Sequence, residues 1–437
     1  PINDTYWVID KVCLSESDRL LLQHLLCQHK IWLEEASKFV STFSTATPND
    51  CDLDYADSVY ESTSYRISER ALEGKFCALV NDLENVMAPI LGVNSRTYKM
   101  LQFLTGRIEG ATTGASSGSH LSLQLLVDKT LQLLPWEGLQ ITSLFSGRVC
   151  RDFSVHMMYH RLTTLAPSKE KTPTLTVSTS GINYIVDPTK DDGCASALPK
   201  SHHLSMTDSV QALLQGKINV SLFKDNMPIL GAEKWKEVRT ENSHLSLQDV
   251  LVSIGMTKPA FAQVDATTAK YSTAALSNSS LLLYTLGRAS ATLSPMELSC
   301  MDFRLLAFIG LFDLSHNELS ARRQLSSDVL KTTRHISSEQ SLLISAVVSL
   351  SGVGSLLVHS WSIPTKAQNR FLHMFIRNFA ASSGAHAAGL NTVLASVANA
   401  SRVDSQDEMK GGIYPIKTWM RLARIVYGVP NLLYSDV

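Results

Sequence analysis

An apolar run that stops at an acid and leads directly into Leu-Pro-Trp-Glu limits what this chain can fold into. The run is Leu125-Leu126-Val127-Asp128, and it continues as Lys129-Thr130-Leu131-Gln132-Leu133-Leu134-Pro135-Trp136-Glu137-Gly138-Leu139. A buried strand ending in a carboxylate, followed by a helix opened by Pro135, fits this order. Proline loses nothing at a first-turn position whose N–H is unpaired in any case, and Glu137 complements the positive end of the helix. The reading predicts a strand over Leu121–Val127 and a helix over Pro135–Phe145.

What precedes this run reads as helical. Residues 1 to 105 carry apolar side chains at helical spacing. Leu21, Leu22, Leu25, Leu26, Trp32 and Leu33 recur along Arg19–Val40 behind the capping run Ser15-Glu16-Ser17-Asp18. Further amphipathic helices are expected over Ser68–Ala88 and Arg96–Glu109, with a polar, acidic loop at Thr45–Asp57. Residues 106–120 hold Gly110-Ala111-Thr112-Thr113-Gly114-Ala115-Ser116-Ser117-Gly118-Ser119, small residues with almost nothing to bury. They read as a flexible linker. The run lacks the Lys-Ser/Thr ending of a phosphate-binding loop.

From 121 to 437 short apolar runs alternate with amphipathic segments. Further strands are expected at Leu175–Val177 with Ile182–Val186, Ser280–Thr285, Phe303–Ile309 and Gly354–His359. Helices are expected at Ser154–Leu165, Thr207–Leu214, Leu247–Ile254, Ser338–Leu350, Lys366–Ala380, Leu390–Ala398 and Ile416–Tyr427. Asp187–Lys200, Asp225–Glu241 and Thr257–Ser279 read as surface loops. The alternation predicts an α/β fold with a mostly parallel central sheet and helices on its faces, preceded by the helical segment.

Composition narrows the function classes. The 437 residues have a net charge of −1, so no basic surface points to nucleic acid or to an anionic membrane. The longest apolar stretches, Leu305–Leu314 and Leu342–Val358, are interrupted by Ser, Gly or Asp and fall short of the roughly 20 residues a membrane span needs. Seven cysteines without a CxxC pair suggest reduced thiols in a cytoplasmic protein. The chain opens Pro1-Ile2-Asn3-Asp4 without Met or signal peptide, as expected for part of a longer protein.

The pieces from Leu121 to Tyr434, in order, resemble the caspase-like (CHAT) protease domain of separases. Leu-Pro-Trp-Glu is similar to the start of that domain, and Ser154–Leu162 to the helix that follows. Tyr184-Ile185-Val186-Asp187-Pro188 resembles its second strand with an Asn/Asp-Pro turn. Leu281–Gly287 is similar to the strand leading into the family's Gly-His-Gly, and Leu298-Ser299-Cys300 through Leu306–Gly310 to the strand that delivers its nucleophilic cysteine. Ser349–Trp361 and Trp419–Gly428 are similar to the family's later Gly…strand…Trp and closing Tyr-Gly.

The chemistry of that family needs a thiolate activated by histidine, with backbone N–H groups for the oxyanion. Here Leu286, with Gly287 beside it, stands at the position of the base, and Leu311 or Phe312 at that of the nucleophile. The resemblance therefore implies a pseudoprotease with no catalytic residue and no cofactor, its vestigial site filled by these apolar side chains at the C-terminal strand ends. It further implies a degenerate domain of the kind that ends a long helical-repeat protein of the ciliary axoneme, in the C1d projection of the central apparatus. The expected role is a non-enzymatic scaffold in ciliary motility, with cytoplasmic, cytoskeletal localisation. Its expected partners are other central-apparatus proteins, calmodulin-containing C1d neighbours among them, without nucleic acid or membrane.

Other readings of single residues remain beside this one. Cys300 lies upstream of the nucleophile strand and reads as a buried or edge thiol. An active separase-like cysteine endopeptidase would need it, or another displaced group, to act. Asp313 and His316 fit a rebuilt acid–imidazole pair or solvated loop residues. The His202-His203 pair lacks an acid or thiol at ligand spacing and so reads as loop rather than metal site. Arg288 could bind a carboxylate, against a salt bridge within the surface. Trp136, Trp361 and Trp419 read as core anchors.

Overall fold

The structure is a computed structural model. It describes residues 7–9, 15–45, 63–111, 122–129, 131–145, 148–165, 175–178, 182–186, 279–286, 288, 295–299, 303–304, 306–316, 318–332, 340–364, 367–368, 371–372, 375, 397, 418–429 and 432–435. The expected helices Thr207–Leu214 and Leu247–Ile254, all of Leu390–Ala398 except residue 397, and the three long loops lie outside the described residues, as does most of the Thr45–Asp57 loop.

Three helices lead: α1 (Glu16–Thr45), α2 (Thr63–Leu91) and α3 (Arg96–Ala111). Leu22, Leu25, His29, Trp32, Ala36 and Phe39 of α1 are buried, a three-and-four spacing that makes one continuous stripe. Helix α3 carries on to Ala111, so the first residues of the expected linker are its last turn; residues 112–121 are outside the described residues. The sequence also hides a strand in the helical segment. Residues 7–9 form β1 (Trp7–Ile9), which pairs in parallel with β2 (Leu123–Leu126).

The expected strands other than Leu175–Val177 fall in a single nine-stranded sheet of order β1-β2-β3-β10-β8-β7-β6-β5, with β9 paired to the end of β7. The remaining members are β3 (Val149–Asp152), β5 (Ile182–Val186), β6 (Ser279–Leu286), β7 (Leu306–His316), β8 (Ser355–His359), β9 (Ile363–Pro364) and β10 (Arg424–Gly428). β4 (Leu175–Ser178) and β11 (Leu432–Ser435) make a separate parallel pair. Every pairing in the main sheet is parallel except β10 with β8. The sheet is therefore two parallel blocks of opposite sense joined at that one antiparallel seam. The C-terminal ends of β6, β7 and β8 consequently share one rim, and those of β2, β3 and β10 the other.

Helices cover the sheet. They are α4 (Val155–Leu165), α5 (Pro295–Ser299), α6 (Glu318–Val329), α7 (Ser341–Leu350) and α8 (Thr418–Arg421). Residues 367–368, 371–372 and 375 are also helical. This is the α/β, mostly parallel architecture expected, preceded by helices. One apolar core runs from the helical segment into the sheet, joining Leu22, Leu83 and Leu91 to Leu123, Trp136 and Ile141. A second joins Trp32 and Phe76 to Trp361 and Trp419.

Three expectations need correction. The segment Pro135–Phe145 is not an α-helix but a run of short 3-10 turns, Trp136–Gly138 and Gln140–Phe145, following another at Leu131–Leu133. Its backbone bonds span three residues, Gly138 N–H to Pro135, Leu139 N–H to Trp136 and Thr142 N–H to Leu139, and the carbonyls of Gln132 and Leu134 just before it accept from the Arg151 guanidinium. Glu137 pairs with that same guanidinium, so it is a counter-ion and not a complement to a helix end. Among the described residues of the segment Ile416–Tyr427 only Thr418–Arg421 is helical; Arg424–Gly428 is the central strand β10, buried along its whole length. A strand covered on both faces shows no alternation, and its apolar run reads as readily as a helix. The strand placed at Phe303–Ile309 begins at Leu306 and continues to His316. β3 was not anticipated.

Candidate functional site: the shared rim of β6, β7 and β8

β7 is irregular where the site should be. Tyr284 pairs with Phe312, but Leu286 pairs with Ser315, so β7 advances from 312 to 315 while β6 advances from 284 to 286. The extra residue makes a β-bulge, and Leu314 takes φ +56° there. A left-handed conformation is costly for a leucine and persists only where its surroundings over-determine it. The surroundings do so. Beyond the bulge, Ser315 and His316 are held by Ile363 and Pro364 of β9 as well as by β6.

Leu311 and Phe312 thus lie inside β7, before the bulge and not at its end. Leu311 pairs with Leu283. Consecutive strand residues face opposite sides of the sheet, so Leu311 and Phe312 do not pack on each other. Phe312 is fully buried, its ring centroid 5.8 Å from Phe375 and 6.4 Å from Phe371. Phe308 joins them at 6.1 Å from Phe375, and the Arg424 guanidinium lies 3.7 Å over the Phe371 ring.

Polar groups survive beside this aromatic plug. Gly310 pairs with Leu357, and two residues farther along each strand bring Phe312 level with His359. His359 is fully buried, with Nδ1 4.0 Å from an Asp313 carboxylate oxygen. Burial, and then the Arg424 charge, hold the imidazole near a pKa of about 3, against the opposing pull of the Leu311 backbone and the Gln368 side chain. Arg424 itself donates to the Met420 and Ala367 carbonyls. The cluster has an acid and a neutral imidazole, and both are sealed from solvent.

The opposite rim carries further buried charges. Arg151 donates to Glu137, and to the Gln132 and Leu134 carbonyls, while Arg161 contacts Asp152 at 3.2 Å and donates to the Val353 carbonyl at 2.8 Å. Burial pulls the Arg151 guanidinium down, but Glu137 outweighs it, and the net shift is upward. Between Asp152 and Arg161 burial prevails: it raises the carboxyl and lowers the guanidinium. These groups bind strand ends together, since Arg161 spans from the end of β3 to the start of β8.

The remaining candidates fall as follows. Leu286 ends β6 opposite Ser315. Gly287, Cys300, His202 and His203 lie outside the described residues, and for His316 only the strand backbone is described. Arg288 is engaged with both Asp328 oxygens, at 2.5 and 2.7 Å, which is the salt bridge and not an open carboxylate site. Trp136, Trp361 and Trp419 are core residues, buried to 5%, 5% and 0% exposure. Among the described residues no cysteine is hydrogen-bonded to a histidine, and no group of three or more His, Cys, Asp or Glu could hold a metal. No helix among them is long and apolar enough to cross a membrane. Sequence reasoning gave no role to His359, Gln368 or Arg424. The available signal was a histidine closing the wholly apolar run Leu356-Leu357-Val358.

No protein-family model matches the chain, and no curated protein matches it. Among solved structures it is similar to the Saccharomyces cerevisiae separase–securin complex. One structure of that complex aligns over 95% of this chain and 28% of the other, at 10% identity and a TM-score of 0.49. A second aligns over 92% and 27%, at 10% identity and a TM-score of 0.46. The chain thus spans well under a third of the length of the chains it matches.

Proposed function

We propose that this chain is a separase-like domain turned to non-enzymatic assembly, its proteolytic site closed by an aromatic plug. One observation carries the reading: Leu311 and Phe312, at the position where the sequence resemblance puts the nucleophile, are buried inside a strand that runs on to His316. A nucleophile must sit at a strand end where a substrate carbonyl can reach it, and leucine and phenylalanine offer neither a thiolate nor access. The order of sequence pieces from Leu121 to Tyr434, and the two-block parallel sheet, agree with the reading. The finer assignment rests on sequence resemblance alone: to the C-terminal region of cilia- and flagella-associated protein forty-six, in the C1d projection of the axonemal central apparatus. In this reading the partners are other central-apparatus proteins, with calmodulin-containing neighbours among the candidates, and the site of action is the ciliary axoneme.

Two experiments test it. Proximity labelling from the tagged protein in ciliated cells should enrich central-apparatus components; enrichment of unrelated cytosolic proteins alone would sink the axonemal assignment. The purified chain should show no cysteine-dependent turnover in a peptide-library digest. Turnover abolished by Cys300→Ala would instead establish the displaced-residue endopeptidase, with Asp313 and His359 as the first groups to test for a supporting role.

A further inference from the structure

The helical segment meets the sheet along an aromatic seam. Trp32 of α1 lies 4.7 Å from Phe76 of α2, 5.5 Å from Trp361 and 5.9 Å from Trp419, centroid to centroid. Trp361 belongs to the turn after β8, and its indole N–H donates to the Trp419 carbonyl at 3.1 Å. One member of the seam is out of chemical character. His29 occupies the buried stripe of α1 at 0% exposure, stacked on Trp32 at 5.7 Å and edge-on to Trp361 at 5.5 Å. Neither of its ring nitrogens has a hydrogen-bond partner among the described residues.

We propose that docking of α1 onto the sheet is proton-linked: the closed seam accepts His29 only as a neutral imidazole, and acid opens it by protonating that ring. An aromatic slot without a hydrogen-bond acceptor can stack a neutral ring, but it leaves an imidazolium's second N–H unsatisfied in a dry interior. The charged group that bears on the ring reinforces this. Burial, and with it the charge of Arg151 of β3, itself paired with Glu137, sets the His29 pKa at about 4. In the open state the ring returns to about 6.5. The open form therefore binds more protons below that value, so the seam is at full strength above about pH 6.5 and weakens as pH falls. His29 shifts the closed-to-open ratio about tenfold per pH unit until its closed-state value is reached.

The test is hydrogen exchange on the full chain at about pH 7.5 and about pH 5, with rates corrected for the intrinsic effect of pH. At the lower pH His29 contributes a factor of about thirty. Amides of α1 around His29, and of the turn at Trp361, should gain exchange by about that factor while β6 and β7 keep their protection. His29→Phe retains a stacking ring without a titrating nitrogen, and should remove that roughly thirtyfold acid response. His29→Leu, apolar and non-titrating, carries the same expectation should the first variant not fold. An acid response spread evenly over all strands overturns the proposal. So does its full survival in whichever of the two variants folds.

Discussion

Replacing Phe312 with alanine is the most direct test of the plugged rim. Its ring is fully buried and contacts Phe371 and Phe375. Phe→Ala in a core costs about 3–5 kcal/mol, the spread reflecting how far the surroundings collapse into the void. Collapse is restricted here from two sides. Phe371 is pinned on its far side by the Arg424 guanidinium at 3.7 Å, and Arg424 is tied to the Met420 and Ala367 carbonyls. β7 is held by β6 and β8 on either side of Phe312. The cavity should persist, which places the expected loss at about 4 kcal/mol, a sizeable fraction of the roughly 5–15 kcal/mol that keeps a domain folded. Urea unfolding followed by circular dichroism should show a lower midpoint at an unchanged slope. Phe312→Leu, which keeps most of the volume, should lose about 1–2 kcal/mol. Leu325→Ala on α6, at a residue 63% exposed, should stay within about 0.5 kcal/mol. A Phe312→Ala loss no larger than that of Leu325→Ala would refute the reasoning, because the ring would then fill no core.

The other expectations concern the far rim and the strand junction. Glu137→Ala leaves the fully buried Arg151 without its counter-ion and should cost about 3–5 kcal/mol. Replacing both members, Glu137→Leu with Arg151→Met, should recover most of that loss by the same unfolding assay. Gly428→Ala should destabilise by more than about 1 kcal/mol: at φ +107° an added Cβ would stand 2.3 Å from the Gly354 carbonyl oxygen, against a backbone that β8 and β10 fix. Thermal unfolding of that variant within a degree of the parent would show that the β8–β10 junction is looser than described. Glu73→Ala frees the N–H groups of Thr418 and Trp419 that the carboxylate accepts, and should cost about 0.5–2 kcal/mol, as loss of a helix cap does.

What the chain's own sequence determined was every element whose signal is local. The stripe of α1 follows from apolar spacing alone. β2, β6 and β8 were legible as apolar runs bounded by polar or glycine residues, and the apolar character of Leu286, Leu311 and Phe312 could be read without coordinates. Only the tertiary structure decided the rest, because the deciding contacts are far apart in sequence. Arg424–Gly428 becomes a strand since β3 and β8 lie ready on both sides, and a fully covered strand carries no alternation to reveal it. Pro135–Phe145 makes 3-10 turns beside Arg151, which comes from a strand the sequence did not announce and ties the preceding carbonyls of Gln132 and Leu134 to the Glu137 carboxylate. β7 outruns its expected end because β9 and β6 hold Ser315 and His316, storing the bulge at Leu314. His359 meets Asp313 and Arg424 for the same reason: strand pairing is a long-range choice, and a residue's chemistry at a sheet rim is set by whichever strands arrive beside it.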